Sequence, residues 1–219
     1  MNGIYQLCVT PKTTPSGKSI QISMRAGWLR DIGFVDDTLV QFIPESCGAS
    51  FILCDEHINK YSELLRTTKE KGGFLIQVNR SGLMVAGKLL FRTKLKEGDN
   101  LLAKYEHGFI RVRKLPDGII KVVKPNPSGE WLADLGFSHG AFLSVAAESD
   151  LITCRLHENG NAQNKPQLIQ AKKQNNLLSF RIPPTVRKMA GFEIGEQLLA
   201  FCEYGLIKIQ KPDFVELGF

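Results

Sequence analysis

The sequence predicts a mainly β protein with short helices, built as two tandem β-barrels. Two repeated phrases and a recurring order of hydrophobic periods lead to this fold class. The phrase WLRDIGF (28–34) returns as WLADLGF (131–137), with five of seven positions identical. A longer phrase, GDNLLAKYEHGFIRVRK (98–114), returns as GEQLLAFCEYGLIKIQK (195–211), with eight of seventeen positions identical. The two shifts, 103 and 97 residues, are similar, which indicates an internal duplication of about one hundred residues.

The two phrases alternate as A, B, A, B along the chain. The chain is therefore predicted to divide into two domains, 1–115 and 116–219, each with one A unit and one B unit. The A and B units also share a plan, because 186–201 repeats the order of residue types in 28–42. Four related β-α-β-β units are expected.

Within each unit the periodicity changes in the same order. Alternating runs such as NLLAKYE and FIRVRK flank a short turn that ends in Gly, which is typical of a β-hairpin. Before the Gly-Phe pair, the four-residue spacing of Trp28 and Ile32 permits one or two helical turns, and Gly33 is a natural C-terminal cap. Each unit is predicted to be a strand, a short helix and a hairpin.

A unit of about forty residues cannot bury both faces of its hairpin alone, so two units are expected to close on each other. Here the duplication supplies the partner within the chain, which predicts a monomer with internal pseudo-dimers. The segment 57–73, which joins the first A and B units, has room for a short helix. The segment 157–176 is predicted to be a polar linker in which Lys172 and Lys173 are simply solvated.

Composition bounds the function classes. No apolar run approaches the roughly 18 residues of a membrane span, and 1–18 lack the apolar core of a signal peptide, so a cytoplasmic protein without membrane contact is expected. Five cysteines without CxxC spacing indicate neither a disulfide framework nor a zinc site. No GxSxG, Walker lysine loop or GxGxxG is present, so we expect no enzyme, cofactor or metal.

The second B unit carries a recognisable series of short motifs, namely Ile182-Pro183, Arg187-Lys188, Gly191-Phe192 and Gly195-Glu196. This series resembles the AbrB, SpoVT and MazE superfamily of swapped-hairpin barrels. The two A units, AGWLRDIGF (26–34) and SGEWLADLGF (128–137), are more similar to the SymE branch of that superfamily. The resemblance covers most of the chain outside the segments that join the units.

The resemblance implies a dimeric barrel that binds duplex DNA with basic residues on its short helices and adjoining loops, as a transcription regulator or an antitoxin. SymE-like members are regarded as toxins that act on nucleic acid. The basic pair of the family falls on Arg187 and Lys188, and only Arg30 is basic at the corresponding pair of the first A unit. The second A unit has Leu132 and Ala133 there.

The charge distribution gives a separate indication of a nucleic-acid partner. The net charge is +6; residues 1–115 hold 17 basic and 11 acidic side chains, whereas 116–219 hold 11 of each. Because the neutralisation of phosphates dominates nucleic-acid affinity, the binding face is expected mainly in the first half. Its candidate residues are Arg25, Arg30, Arg80, Lys88, Arg92 and Lys94.

Several features have a structural interpretation as well as a functional one. Trp28 and Trp131 are interpreted as core residues rather than base-stacking platforms, since their apolar area is large. The strand RVRK (111–114) fits a solvated face or a phosphate contact, and both stay open. His107 stands at a hairpin tip where the repeat has Tyr204, which favours a surface residue over a general base.

Taken together, these patterns predict a DNA-binding regulatory protein of AbrB-like type that contacts the duplex backbone without catalysis. One alternative is a protein-binding inhibitor or immunity module that keeps the barrel as a scaffold. A second alternative is a SymE-like toxin acting on RNA. Fold resemblance alone does not decide among them.

Overall fold

The structure, a computed structural model, describes residues 3–15, 17–25, 27–54, 61–157, 168–174 and 176–213. The chain divides between Pro116 and Asp117 into two units, here called the first and the second unit. Antiparallel strands and a few short helices make up the secondary structure of both. The predicted class, mainly β with short helices, is confirmed.

The described residues of the first unit include the α-helices α1 (Trp28–Asp31) and α2 (Tyr61–Glu70) and a 3-10 helix (Gly87–Thr93). The helix expected within 57–73 is therefore confirmed as α2 for its described residues. The strands are β1 Gly3–Cys8, β2 Thr10–Thr14, β3 Gly17–Met24, β4 Leu39–Glu45, β5 Gly48–Leu53, β6 Phe74–Gln77, β7 Leu83–Ala86, β8 Asn100–Glu106 and β9 Phe109–Lys114.

The second unit repeats this plan with the helices α3 (Trp131–Asp134) and α4 (Pro184–Met189). Its strands are β10 Ile119–Val123, β11 Phe142–Glu148, β12 Leu151–Leu156, β13 Leu168–Gln170, β14 Lys172–Gln174, β15 Leu177–Ser179, β16 Leu198–Glu203 and β17 Leu206–Gln210.

The prediction that 157–176 is a polar linker is wrong for 168–174, which form β13 and β14. The reason is the buried Ala171, whose amide donates to Ala141 O at 2.9 Å and whose carbonyl accepts from Gly140 N at 2.9 Å. A short apolar stretch among polar residues is thus an edge strand of the sheet. Residues 158–167 of that segment lie outside the described residues.

The six-stranded sheets of the two units have the same order, β1-β8-β9-β5-β4-β6 in the first and β10-β16-β17-β12-β11-β13 in the second. In both, the A and B hairpins pair at the centre. The first strand of each A or B unit joins the hairpin of the other unit, as β1 joins β8 and β6 joins β4. Among the described strands the two ends of each sheet do not pair with each other, so no closed barrel is present there.

Each unit also has a small sheet that the sequence did not predict, β2-β3-β7 in the first unit and β14-β15 in the second. The hairpin β2-β3 lies between the first strand of an A unit and its helix α1, and β14-β15 lies between the first strand of a B unit and its helix α4. These small sheets fix the position of the backbone just before α1 and α4.

The repeated Gly-Phe pair forms the same helix end in three of the four A and B units. Gly33, Gly136 and Gly191 have φ of 93°, 85° and 68°, the left-handed region that glycine adopts without a steric cost. The next amide then reaches back along the helix, as Phe34 N donates to Leu29 O at 2.8 Å. The equivalent bonds run from Phe137 N to Leu132 O (3.1 Å) and from Phe192 N to Arg187 O (2.9 Å). The predicted glycine cap is confirmed.

Lys94 occupies this cap position in the first B unit, with φ 57° and ψ 14° after the 3-10 helix. Because a Cβ crowds the backbone there, Lys94→Gly is expected to raise the free energy of unfolding by about 1 kcal/mol. Urea denaturation measures the change. Lys96→Gly, at an exposed neighbour outside the left-handed region, is the control and should not stabilise. A Lys94→Gly protein less stable than wild type would contradict the assignment of strain.

Each unit has its own hydrophobic core, and each tryptophan packs against the core of its unit as the sequence interpretation favoured. Trp28 stacks on Tyr105 with ring centroids 4.3 Å apart and 16° between planes. Cys154 is fully buried in the second core, and that burial raises the pKa of its thiol to about 12. Cys154 therefore behaves as a small apolar residue.

Candidate nucleic-acid interface

Three of the predicted cations line one cleft of the first unit, although they are distant in sequence. Arg25 directly follows β3, Arg30 lies on α1, and Arg80 lies in the turn between β6 and β7. The cleft has a volume of about 380 Å³. It is called the first cleft below.

The position of Arg80 depends on the turn 79–82. Asn79 Oδ1 accepts from Ser81 N at 2.9 Å, and the backbones of Asn79 and Gly82 bond to each other in both directions. Gly82 has φ 103°, and a Cβ on it would lie 2.1 Å from the carbonyl oxygen of Met24. Only glycine lets this turn lie against the end of β3, which brings Arg80 and Arg25 to the same cleft.

Arg30 lines the first cleft from α1, where its side chain is exposed while that of its neighbour Leu29 is buried in the core. Leu29, Phe34 and Val78 contribute the apolar part of the lining. Arg25 Nε donates to Ser23 Oγ at 3.2 Å.

The charges of the first cleft are not neutralised internally. Asp36 is the one acid among the described lining residues, against three arginines. Within the described part of the chain, none of the ion pairs involves Arg25, Arg30 or Arg80. All three are exposed, so their guanidinium groups are available to an anion.

Lys88, Arg92 and Lys94 form a separate group on and after the 3-10 helix, and they are not among the described lining residues of the first cleft. Arg92 Nη1 donates to Gly72 O at 3.3 Å, and its Cζ lies 5.9 Å from the ring centroid of Phe74. Lys88 and Lys94 are exposed. Arg92 is therefore partly committed to the fold, unlike the two lysines.

Arg187 and Lys188 lie on α4 of the second unit. Lys188 is exposed, whereas Arg187 is half-buried. The Nε of Arg187 is buried and has no hydrogen-bond partner among the described residues. Lys188 is thus the more accessible member of the pair that the family resemblance indicates.

The strand 111–114 is held by an acid of the A hairpin. Glu45 Oε2 lies 2.8 Å from Arg111 Nη2 and 2.7 Å from Arg113 Nη2, and Glu45 also accepts from Ser50 Oγ. Burial alone would raise the pKa of Glu45, but the hydrogen bonds from Arg111 and Ser50 and the charges of both arginines hold it below its ordinary value. Both arginines are thus paired with the one carboxylate of Glu45, which favours a structural role over a phosphate contact.

The second unit has a cleft of about 600 Å³ that the sequence did not predict. Its cations are Lys172, in the segment that the sequence predicts to be a linker, and Arg181, which is not among the candidate residues of the sequence analysis. The described lining residues are Asn126, Ile169, Gln170, Lys172, Ser179, Phe180 and Arg181. One signal was available: Arg181 precedes α4 by the same three residues that separate Arg25 from α1.

The hairpin-tip rings lie on the helix caps of the A units. A Cβ at Gly33 would lie 3.2 Å from His107 Cε1, and one at Gly136 would lie 2.6 Å from Tyr204 Cζ. These rings cover the cap glycines and face solvent on the other side, with Tyr204 79% exposed. The described residues contain no group of three or more His, Cys, Asp or Glu side chains placed to hold a metal ion.

None of the described helices combines the length and the apolar character needed to cross a bilayer. The chain matches no family model, no curated protein sequence and no solved structure.

Proposed function

We propose that the protein binds the backbone of duplex DNA through the first cleft, as a non-catalytic regulatory protein of AbrB-like type. The observation that carries this proposal is the convergence of Arg25, Arg30 and Arg80 on one concave surface without an ion pair among the described residues. Arginine presents a planar fork of donors that matches the oxygens of a phosphate group. Three such groups against one carboxylate favour an anionic partner.

The architecture supports the same proposal. We infer that the exchange of first strands between the A and B hairpins is that of a swapped-hairpin fold, with one pseudo-dimer in each unit. Arg30 and Lys188 hold the same place on their short helices, because the cap amides of Gly33 and Gly191 donate to their carbonyls at 3.0 and 3.1 Å. In the superfamily that the sequence resembles, basic residues of these helices contact DNA.

The test replaces Arg25, Arg30 and Arg80 together by alanine and measures duplex binding by fluorescence anisotropy over a range of salt concentrations. Three exposed charge contacts with phosphate predict affinity weaker by on the order of tenfold to 100-fold. The slope of log affinity against log salt should fall by about three units. The duplex should remain uncut.

The matched control removes three other exposed cations of the first unit, Arg66, Lys69 and Lys71 on and after α2. It makes the same change in net charge and should leave binding nearly unchanged. Equal loss in both triple variants would mean that the first cleft is not the site. Failure of the wild-type protein to bind duplex DNA at low salt would overturn the proposal, and tighter binding to single-stranded RNA would favour the RNA-directed alternative.

A protein partner is the second candidate, because of one apolar side chain on the 3-10 helix. Phe91 is 88% exposed between Lys88 and Arg92, and a large aromatic ring in that state is typical of an interaction surface. If the wild-type protein does not bind nucleic acid, a Phe91→Ser variant with unchanged stability and higher solubility would favour the protein-partner alternative.

A further inference from the structure

We propose that the cleft of the second unit, called the second cleft below, is a phosphate-binding site formed by Lys172 and Arg181. The assignment of its phosphate to a nucleic-acid backbone rests on the proposed function. The phosphate-binding chemistry itself does not, because it follows from the second cleft alone. Neither cation belongs to the helix pair that the family resemblance indicates.

Arg181 is held in place by the residues around it. It directly follows the buried Phe180, and the next residue, Ile182, is also buried and donates its amide to Asn126 Oδ1 at 3.1 Å. With both neighbours fixed in the core, the exposed Arg181 side chain is directed away from it and lines the cleft. The backbone of this cation is therefore preorganised, which lowers the entropic cost of binding.

Lys172 reaches the same cleft from the neighbouring strand. It begins β14 and pairs with Ser179 of β15, two residues before Arg181. Ser179 Oγ donates to the carbonyl oxygen of Lys172 at 3.5 Å. The next residue, Lys173, is not among the described lining residues.

The local charge of the second cleft differs from that of the second half as a whole. Residues 116–219 hold equal numbers of basic and acidic side chains, which conceals any site from a count of net charge. The described lining residues include two cations and no acid. Within the described part of the chain, neither Lys172 nor Arg181 takes part in an ion pair.

The lining completes a site of suitable chemistry and size. Phe180 and Ile169 give it an apolar part, while Gln170 Nε2 donates to Gly140 O at 3.2 Å and is thus committed to the fold. A volume of about 600 Å³ lies well within the range of small-ligand sites and accommodates a phosphate group together with its substituent.

The first and second clefts have the same origin in the fold. Arg25 follows β3 and Arg181 follows the last strand of β14-β15 by two residues, and each stands three residues before its helix. Both small sheets come from hairpins inserted between a first strand and a short helix. The placement in an A unit in one case and a B unit in the other indicates that the fold creates this cleft wherever such a hairpin is inserted.

The first experiment titrates the full-length protein with pyrophosphate and follows the Nε–Hε signals of its arginines by NMR. The Arg181 signal is expected to shift and to saturate. Lys172→Ala should weaken the apparent affinity at this signal by about threefold, the effect of one exposed charge contact. Lys173→Ala is the matched control, since it removes an adjacent cation of the same strand. An Arg181 signal that does not respond, or equal effects of the two lysine variants, overturns the proposal.

The second experiment distinguishes a nucleic-acid backbone from a free phosphorylated molecule. In the Arg25, Arg30 and Arg80 triple variant, the remaining duplex binding should fall about tenfold further when Lys172 and Arg181 are replaced by alanine, with a salt slope lower by about two units. If pyrophosphate binds at Arg181 but duplex binding is insensitive to these changes, the nucleic-acid assignment is overturned and the ligand is a free phosphorylated molecule. If wild type binds no nucleic acid, the proposed function fails and pyrophosphate alone decides the second cleft.

Discussion

Gly82→Ala is expected to lower the free energy of unfolding of the first unit by about 3 kcal/mol, and to weaken the proposed duplex binding as well. The new Cβ would lie 2.1 Å from the carbonyl oxygen of Met24 and 3.2 Å from the Cα of Arg25. Backbone atoms cannot move aside as a flexible side chain can, so the turn 79–82 must shift away from β3. That movement displaces Arg80 from Arg25, which links stability to the first cleft.

Amide hydrogen exchange measures the loss separately for each unit, and anisotropy measures DNA binding. Gly98→Ala is the matched control, because Gly98 also has a positive φ of 84°, but a Cβ added to it would meet no atom within 4 Å beyond its chain neighbours. It isolates the backbone cost of about 1 kcal/mol. If both alanine variants lose the same stability and bind DNA equally, the close approach at Met24 has no role in positioning Arg80.

Glu45→Gln is expected to lower the free energy of unfolding at neutral pH by about 2 kcal/mol. The carboxylate connects the A hairpin to the B strand β9 through Arg111 and Arg113, and its side chain is only 20% exposed. A neutral amide leaves two guanidinium groups side by side, with their mutual repulsion no longer compensated. The variant therefore loses the pairing and gains a like-charge contact.

The pH dependence follows from the direction of the pKa shift. Because the pKa of Glu45 is lower in the folded protein than its ordinary value of 4.5, its contribution is present above that value and is lost as the pH falls through the folded pKa. Urea denaturation of wild type and variant should therefore differ at pH 7 and converge in acid. Glu148→Gln is the control, at the exposed position that matches Glu45 in the second half. A difference that persists unchanged at low pH would contradict this role of the carboxylate.

The repeated local motifs were predictable from the sequence because short-range chemistry determines them. Glycine adopts the left-handed φ of the helix cap at Gly33 without a steric cost, which favours it there. The repeated acid at Asp99 and Glu196 accepts from the amide three residues before it, at 2.8 and 2.9 Å. The same two acids bind Lys114 and Lys211 at 2.9 and 3.4 Å. These contacts occur in both copies of the phrase 98–114 and 195–211, because the acid and the lysine that form them are repeated.

Long-range register could not be predicted in the same way. The polar TPKTT segment (10–14) has no apolar alternation, and it becomes β2 only by pairing with β3. Whether Arg111 is solvated or paired depends on the β5–β9 register, which sets it opposite Ser50 near Glu45. The first cleft likewise requires the approach of Gly82 to Met24, and no local pattern encodes that distance.

The exchange of first strands has a consequence for the order in which the chain acquires its fold during synthesis. Gly3 of β1 pairs with Tyr105 of β8, so β1 leaves the ribosome long before its partner strand and can pair only when the B hairpin has emerged. Contacts between residues so distant in sequence slow folding, since the loop entropy is lost before the pairing rewards it. Until the B unit emerges, both edges of the nascent A hairpin are unpaired. Chaperone binding over that interval would protect the hairpin from pairing with another chain.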